Sequence, residues 1–177
     1  MVAKKKITDD LLKLGSRNRS GKRLRSKTAA VIHWVLSPGA RAKNVATFIR
    51  NRLDFGSYNF IICLDGKIIR KIPSGEVSFH AGTWGRSGPN GMFPNNANEH
   101  TVSIGMCHDD LSGEYTNAQK KSLIWLLGHL RTEGYRFLLT HFDITGKKCD
   151  TYYRTHTEEL KALAEAAGYE RPELKTA

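Results

Sequence analysis

The sequence predicts an α/β fold, in which a single domain with a central mixed β-sheet flanked by helices follows a basic N-terminal extension. Short apolar runs typical of buried strands recur along the chain, and they alternate with stretches whose apolar residues fall on one helical face. A length of 177 residues is that of one ordinary domain. We assign residues 1–27 to the extension and residues 28–177 to the domain.

The strands are predicted from apolar runs bounded by turn residues. Asp65-Gly66 lies between two such runs and is a two-residue hairpin signal. The predicted strands are Ala29–Val35, Tyr58–Leu64, Lys67–Ile72, Thr101–Cys107 and Phe137–His141.

The helices are predicted from caps and apolar spacing. Thr116 and Gln119 form a capping box that opens a helix ending at Gly134. The other predicted helices are a short one over residues 8–15, one after the Ser37-Pro38-Gly39 turn with Val45, Phe48, Ile49 and Leu53 on one face, and Thr157–Ala167.

Positive charge is concentrated at the N-terminus. Residues 1–27 hold ten Lys or Arg and two Asp, which gives +8 of the net +11 and leaves +3 for the other 150 residues. Residues 16–27 are rich in Ser, Arg, Lys and Gly and are predicted to be a flexible connector. Such an extension indicates an anionic polymer or membrane surface as partner, and nucleic acid, teichoic acid, lipopolysaccharide and anionic lipid fit the charge equally. A solvated tail that merely aids solubility is the alternative. The candidate contacts are Lys4, Lys5, Lys6, Arg17, Arg19, Lys22, Arg23 and Arg25.

The chain has no recognisable export or membrane segment. No apolar run approaches the roughly 20 residues that cross a bilayer, and no apolar stretch follows the N-terminal lysines as in a secretory signal. We therefore expect synthesis in the cytoplasm, so that a role outside the cell needs another way out.

Potential metal ligands lie at the ends of predicted strands. His33 ends the first strand, His141 ends the last, and Cys149 follows His141 by eight positions in a polar loop. Two imidazoles and a thiolate can bind zinc and leave a fourth tetrahedral position to water, which is typical of a catalytic site and predicts a zinc hydrolase. With seven histidines in the chain, the spacing alone also arises by coincidence. Cys63 and Cys107 lie in apolar runs, where free cysteine behaves as a small hydrophobe.

An ordered series of motifs between residues 29 and 153 resembles a known family. These motifs are Val31-Ile32-His33, Ser57 to Ile62 followed by Asp65-Gly66, Phe79-His80-Ala81-Gly82, Asn98 with Ser103-Ile104-Gly105, Thr116 to Gln119, and His141 through Cys149-Asp150. In this order they resemble the zinc-dependent N-acetylmuramoyl-L-alanine amidases of the type 2 fold, which is shared with peptidoglycan recognition proteins and short phage amidases.

The resemblance implies a complete catalytic site. His33, His141 and Cys149 would hold one zinc ion per chain. Tyr58 and Lys147 would lie beside the reacting water and the scissile carbonyl as catalytic groups.

The resemblance also implies a substrate groove, with His80, Trp84 and Asn98 as candidate contacts. Without it, Trp84 has either a structural role or a stacking role on sugar or peptide, and His80 is a hydrogen-bonded edge residue. By the same reasoning Tyr58 packs on the core and Lys147 is a solvated loop lysine.

One position departs from the family pattern. Many members carry a glutamate general base after Ile-Gly, where this sequence has Cys107, as the short phage amidases do. A thiol in an apolar strand is a poor base. The task then falls to the zinc-activated water, helped by Tyr58 and Lys147.

The resemblance predicts a peptidoglycan hydrolase that cleaves the amide between N-acetylmuramic acid and L-alanine. Compactness, the missing signal and the basic extension favour a phage or prophage endolysin, made in the host cytoplasm and active on the cell wall after release. The extension would target the anionic envelope. A non-catalytic peptidoglycan-binding protein of the same fold is the alternative, although the ligand Cys149 is retained. We expect no obligate nucleic acid and favour a monomer.

Overall fold

The computed structural model describes residues 6–35, 47, 56–82, 88–108, 114–147 and 151–172. Within these ranges the strands are β1 Ile7–Asp9, β2 Ala29–Trp34, β3 Phe60–Ile62, β4 Ile68–Arg70, β5 Thr101–Met106 and β6 Phe137–Thr140. They form one sheet in the order β1-β4-β3-β5-β2-β6, in which only β3 and β4 are antiparallel. The predicted α/β class with a mixed sheet is confirmed.

The helices of the described ranges are α1 Asn117–Thr132, α2 His141–Thr145, α3 Thr151–Thr155 and α4 Thr157–Ala166. The predicted capping box opens α1, since Thr116 Oγ1 accepts from Gln119 N at 3.1 Å and Gln119 Oε1 accepts from Thr116 N at 3.0 Å. The helices α2 and α3 lie where the sequence predicts no helix. The helix predicted after Pro38 lies outside the described residues, apart from the helical Thr47.

The central strands β2 and β5 are buried along their whole length, which explains why their sequences are continuously apolar and not alternating. Alternate residues of β2, including Ile32 and Trp34, pack in the main apolar cluster with the leucines of α1. Val31 packs in a second cluster with Leu139. His33 follows the same alternation as Val31 and therefore lies on the sheet face opposite α1.

The N-terminal residues continue the sheet, so the helix predicted over residues 8–15 is wrong. β1 pairs in parallel with β4, and Leu12 is buried in an apolar cluster beyond it. Asp9 and Asp10, the acids that suggested a first helical turn, instead pair with Arg70 of β4 and with Lys71, the residue after it. Arg70 Nε donates to Asp9 Oδ1 at 2.7 Å, and Lys71 Nζ donates to Asp10 Oδ2 at 2.8 Å.

Residues 16–27, predicted to be a flexible connector, run along the body of the domain. Leu24 N donates to Gly75 O at 2.9 Å, and Val77 N donates to Lys22 O at 2.8 Å. A side-chain pair between Arg19 and Glu76 adds two hydrogen bonds of 2.8 Å. In the part of the chain that the structure describes, no helix is long and apolar enough to cross a membrane.

Candidate active site

His33 and His141 are brought together by the pairing of β2 with β6. These strands run in parallel with Ile32 beside Thr140, so the residues that follow these two, His33 in β2 and His141 directly after β6, lie at the same edge of the sheet. Their ring centroids lie 4.8 Å apart, at an interplanar angle of 36°. The predicted convergence of these two residues is therefore present in the structure.

His141 is held at the first position of α2 by a second capping box. Thr140 Oγ1 accepts from Asp143 N at 3.3 Å, and Asp143 Oδ2 accepts from Thr140 N at 2.7 Å. Arg171 donates to the same Asp143 oxygen at 2.5 Å and to Leu138 O at 2.9 Å. Arg171, in the C-terminal segment, thus holds the junction between β6 and α2, where His141 is the first residue of the helix.

His80 contacts His33 directly. His33 Nε2 and His80 Nδ1 are 2.8 Å apart, and His80 Nε2 lies 2.9 Å from Thr101 Oγ1. The His80 side chain is buried, with both ring nitrogens engaged inside the protein. The structure therefore makes His80 a neighbour of the predicted ligand, whereas a contact with substrate stays a prediction.

Asn98 holds the turn that carries His80. Its Oδ1 accepts from His80 N at 3.1 Å and from Ala81 N at 2.8 Å, while its Nδ2 donates to Gly82 O at 3.1 Å. Asn98 is only 3% exposed, and its side-chain amide is hydrogen-bonded to these three backbone groups. This gives Asn98 a supporting role, and the predicted substrate contact again stays a prediction.

Tyr58 lies over β5 beside the histidine pair. Its ring centroid is 5.1 Å from that of His33, and the ring is half-buried. Gly105, the register partner of His33, makes room for this ring. A Cβ at Gly105 would lie 3.0 Å from Tyr58 Cδ2 and 2.9 Å from Val35 Cγ2. A glycine inside a strand is a signal of such close approach.

His33 and His80 are buried, and both are neutral at neutral pH. Burial lowers the pKa of His33 well below 6.5, with smaller contributions from repulsion by His80 and His141. Burial, with repulsion by His141, lowers the pKa of His80 to about 3. Because a metal binds the neutral imidazole, this environment suits a ligand.

The remaining predicted site residues follow α2. Lys147 lies just after the left-handed Gly146 that ends the helix, and its side chain is exposed. Cys149 and Trp84 lie outside the described residues, so their placement stays a prediction. Across the described ranges no group of three or more His, Cys, Asp or Glu is placed to hold a metal.

Cys107, at the position of the family glutamate, is only 1% exposed and lies in one cluster with Cys63. The hydrogen bond between the two thiols raises the pKa of Cys63 and lowers that of Cys107, whereas burial raises both. Burial also prevents contact with a substrate, so Cys107 cannot act as a general base.

Several cations of the N-terminal segment are paired within the protein. Arg19, whose side chain is 11% exposed, binds Glu76 through two hydrogen bonds of 2.8 Å. Lys22 pairs with Glu99, and Arg25 Nε lies 2.6 Å from the same carboxylate. These three residues hold the segment on the domain.

The other predicted envelope contacts differ in position. Lys6, Arg17 and Arg23 are exposed. Lys4 and Lys5 lie outside the described residues.

Comparison with known proteins places the chain in a family. A family model described as N-acetylmuramoyl-L-alanine amidase matches residues 24–157, which is most of the chain. The protein belongs to this amidase family. The match contains His33, Tyr58, His80 and His141, the residues assembled above.

The relatives include a curated probable N-acetylmuramoyl-L-alanine amidase from Bacillus licheniformis, 24% identical over 165 residues, or 89% of this chain. The alignment covers 46% of that protein, so this amidase-family chain spans about half the length of the curated relatives it matches.

Solved structures share the fold. The catalytic domain of XlyA is 21% identical with a TM-score of 0.70, covering 92% of this chain and 99% of that one. A mutant endolysin from Bacillus subtilis is 22% identical with a TM-score of 0.70, covering 94% and 100%.

Proposed function

We propose that this protein is a zinc-dependent N-acetylmuramoyl-L-alanine amidase that acts as an endolysin on the cell wall. Its substrate is peptidoglycan, and the bond cleaved is the amide between N-acetylmuramic acid and L-alanine. Membership of the amidase family supports the reaction, and the names of its relatives support the endolysin role. The observation that carries the proposal is the pair of imidazoles, His33 and His141, that meet at one edge of the sheet.

The donor set fits zinc. Tetrahedral zinc with bonds of about 2.0–2.1 Å to nitrogen needs its ligating nitrogens about 3.3 Å apart. Two rings whose centroids are 4.8 Å apart can meet that distance. Cys149 would supply the third ligand, and its thiolate would leave the site with a formal charge of +1. A zinc ion bound there would supply Lewis acidity, which acidifies water and polarises a carbonyl.

The surrounding residues orient the reacting groups. Tyr58 is half-buried against His33, so its hydroxyl can donate to the oxygen of the scissile amide as negative charge develops on it. Lys147 follows the end of α2, and its exposed ammonium can approach that oxygen from solvent. The buried Cys107 takes no part.

The reaction is tested on purified cell walls. The amidase should release new alanine amino groups without new reducing sugars, and a chelator should abolish this release until zinc is restored. Release of reducing sugar instead would reassign the protein as a glycosidase.

The ligand assignment is tested with a matched pair of histidine variants. His33→Ala should lose zinc and activity together. His129→Ala is the control, because His129 lies on the exposed face of α1 and stacks on Trp125. Zinc stoichiometry is measured beside activity, and a His33→Ala protein with one zinc and full activity would contradict the assignment. A wild-type chain that binds wall without cutting it would favour the non-catalytic alternative.

Envelope targeting is tested at the exposed cations. Arg17 and Arg23 are exposed, so these two residues are chosen to test contact with an anionic envelope. Arg17→Glu with Arg23→Glu should lower activity on whole cells and reduce its salt dependence, while activity on soluble wall fragments is retained. Equal loss on both substrates would contradict targeting.

A further inference from the structure

A buried chain of hydrogen bonds connects the backbone to His33. Thr101 Oγ1 donates to Ala97 O at 2.7 Å, His80 Nε2 lies 2.9 Å from the same hydroxyl, and His80 Nδ1 lies 2.8 Å from His33 Nε2. Thr101 is completely buried, and His33 is 1% exposed. Water therefore does not compete for these groups.

The protons in this chain have one consistent direction. A carbonyl oxygen only accepts, so the single hydroxyl proton of Thr101 points to Ala97 O and the hydroxyl can only accept from His80. His80 Nε2 must then carry the proton of this neutral imidazole, which leaves Nδ1 without one. His80 Nδ1 accepts in turn from His33 Nε2, so Nδ1 of His33 keeps its lone pair.

We propose that Thr101 and His80 are positioning residues that fix the tautomer of His33, so that Nδ1 is the nitrogen presented to zinc. This inference rests on the zinc site of the proposed function. Metal-bound histidines commonly donate their other ring N–H to a carboxylate or a carbonyl, which fixes the ring and its basicity. Here the neutral imidazole of His80 is the acceptor. The hydrogen bond that Thr101 donates to Ala97 O thereby determines which nitrogen of His33 carries the proton. Because the imidazole adds no negative charge, the site keeps its formal +1.

The tautomer is tested by NMR on the full-length protein labelled with ¹⁵N-histidine, without metal and with added Zn²⁺. Two-bond ¹H–¹⁵N correlations distinguish the protonated ring nitrogen from the bare one. We expect His33 to be protonated at Nε2 in both states and its Nδ1 resonance to shift when Zn²⁺ is added. A His33 protonated at Nδ1 in the metal-free chain would overturn the inference.

The role of the hydroxyl is tested with two variants of Thr101. Thr101→Val keeps the shape and loses the hydroxyl, whereas Thr101→Ser keeps the hydroxyl. Loss of a ligand's direct hydrogen-bond partner typically lowers metal affinity about 10–100-fold. Thr101 acts one hydrogen bond further from the zinc, so we expect about tenfold weaker binding for Thr101→Val and a change within about threefold for Thr101→Ser. Affinity for Zn²⁺ is measured by competition with a chromophoric chelator. Equal affinities of the two variants would overturn the inference.

Variants of His80 keep the test decisive if Thr101→Val fails to fold. Asn and Leu have similar volumes, but only Asn offers an oxygen near the position of Nδ1 to accept from His33. We expect His80→Asn to bind Zn²⁺ about tenfold more tightly than His80→Leu. Equal affinities would again count against positioning. A wild-type chain that bound no zinc would overturn the proposed function as well, whereas zinc binding without these differences would overturn only the positioning role.

Discussion

Replacing Gly105 by alanine should disturb both stability and activity through Tyr58. Gly105 lies in β5 between β3 and β2, where its backbone is fixed by hydrogen bonds on both sides. A methyl group there would lie 3.0 Å from Tyr58 Cδ2 and 3.2 Å from Tyr58 Cγ. Carbon atoms in contact prefer about 3.5–4.0 Å, so the tyrosine ring must move away by roughly 0.5 Å or more.

The size of the effect follows from that displacement. Overpacking of a buried site costs about 1–3 kcal/mol of the free energy of unfolding. For a chain of this length, such a loss lowers Tm by roughly 2–12 °C. A misplacement of about 1 Å in a catalytic group can cost on the order of 10²-fold in rate, so we expect turnover to fall by at least about tenfold.

The assay compares Gly105→Ala with Gly128→Ala, measuring thermal unfolding and release of alanine amino groups from purified wall. Gly128 lies on the exposed face of α1, and apart from its chain neighbours and the helix's own backbone no atom lies within 4 Å of the position that a methyl group would take there. Alanine at this position should therefore stabilise the helix by about 0.5–1 kcal/mol and leave activity unchanged. A Gly105→Ala protein with the Tm and turnover of wild type would refute the reasoning.

Three further changes test the supports of the site. Asn98→Ala should lower the free energy of unfolding in urea by about 2–3 kcal/mol, because the buried hydrogen bonds of its side chain are lost. Asn98→Asp should lose less in acid, where the protonated carboxyl accepts from the same two N–H groups and donates to Gly82 O. Arg171→Ala should cost about 3 kcal/mol in thermal unfolding, because it leaves the Asp143 carboxylate, 3% exposed, without its cation. The hydrogen bond from Lys22 lowers the pKa of Glu99 below its ordinary 4.5, so this contribution is complete above about pH 4.5 and is lost as pH falls through the lower, folded-state pKa. Glu99→Gln should therefore differ most from wild type near neutral pH and least in acid, as measured by urea unfolding from pH 3 to pH 7.

Each of these expectations has an opposite outcome that would contradict it. Equal stability of Asn98→Ala and Asn98→Asp in acid would show that the acceptor does not hold the turn. An unchanged Tm for Arg171→Ala would mean that the C-terminal segment does not support α2. A difference between Glu99→Gln and wild type that stayed constant with pH would exclude the ion pair as its cause.

Local sequence signals were sufficient for the centre of the fold. β2, β5 and β6 were predicted because strands buried on both faces are continuously apolar, and the capping box at Thr116 fixed the start of α1. The same strand ends correctly brought His33 beside His141, since parallel strands end at one edge of a sheet.

Pairing between distant segments could not be derived in this way. Asp9 and Asp10 suggested a helix start, but their partners lie 61 residues further along, so the segment is a strand. The resemblance predicts that His80 lines the substrate groove, and nothing local indicates Thr101, 21 residues away, as its hydrogen-bond partner. The short helix α2 was predicted as a loop because its cap, formed by Thr140 and Asp143, was not recognised.

The adjacency of β2 and β6 has a consequence for how the site is assembled. Its two imidazoles are separated by 108 positions in the chain (141 − 33), and they meet only when the last strand docks beside an early one. Tight zinc binding under the proposed function therefore requires the complete sheet, because a nascent chain that ends before β6 contains only one of the three proposed ligands, His33. Zinc binding should accordingly raise the free energy of unfolding in proportion to the logarithm of the free zinc concentration.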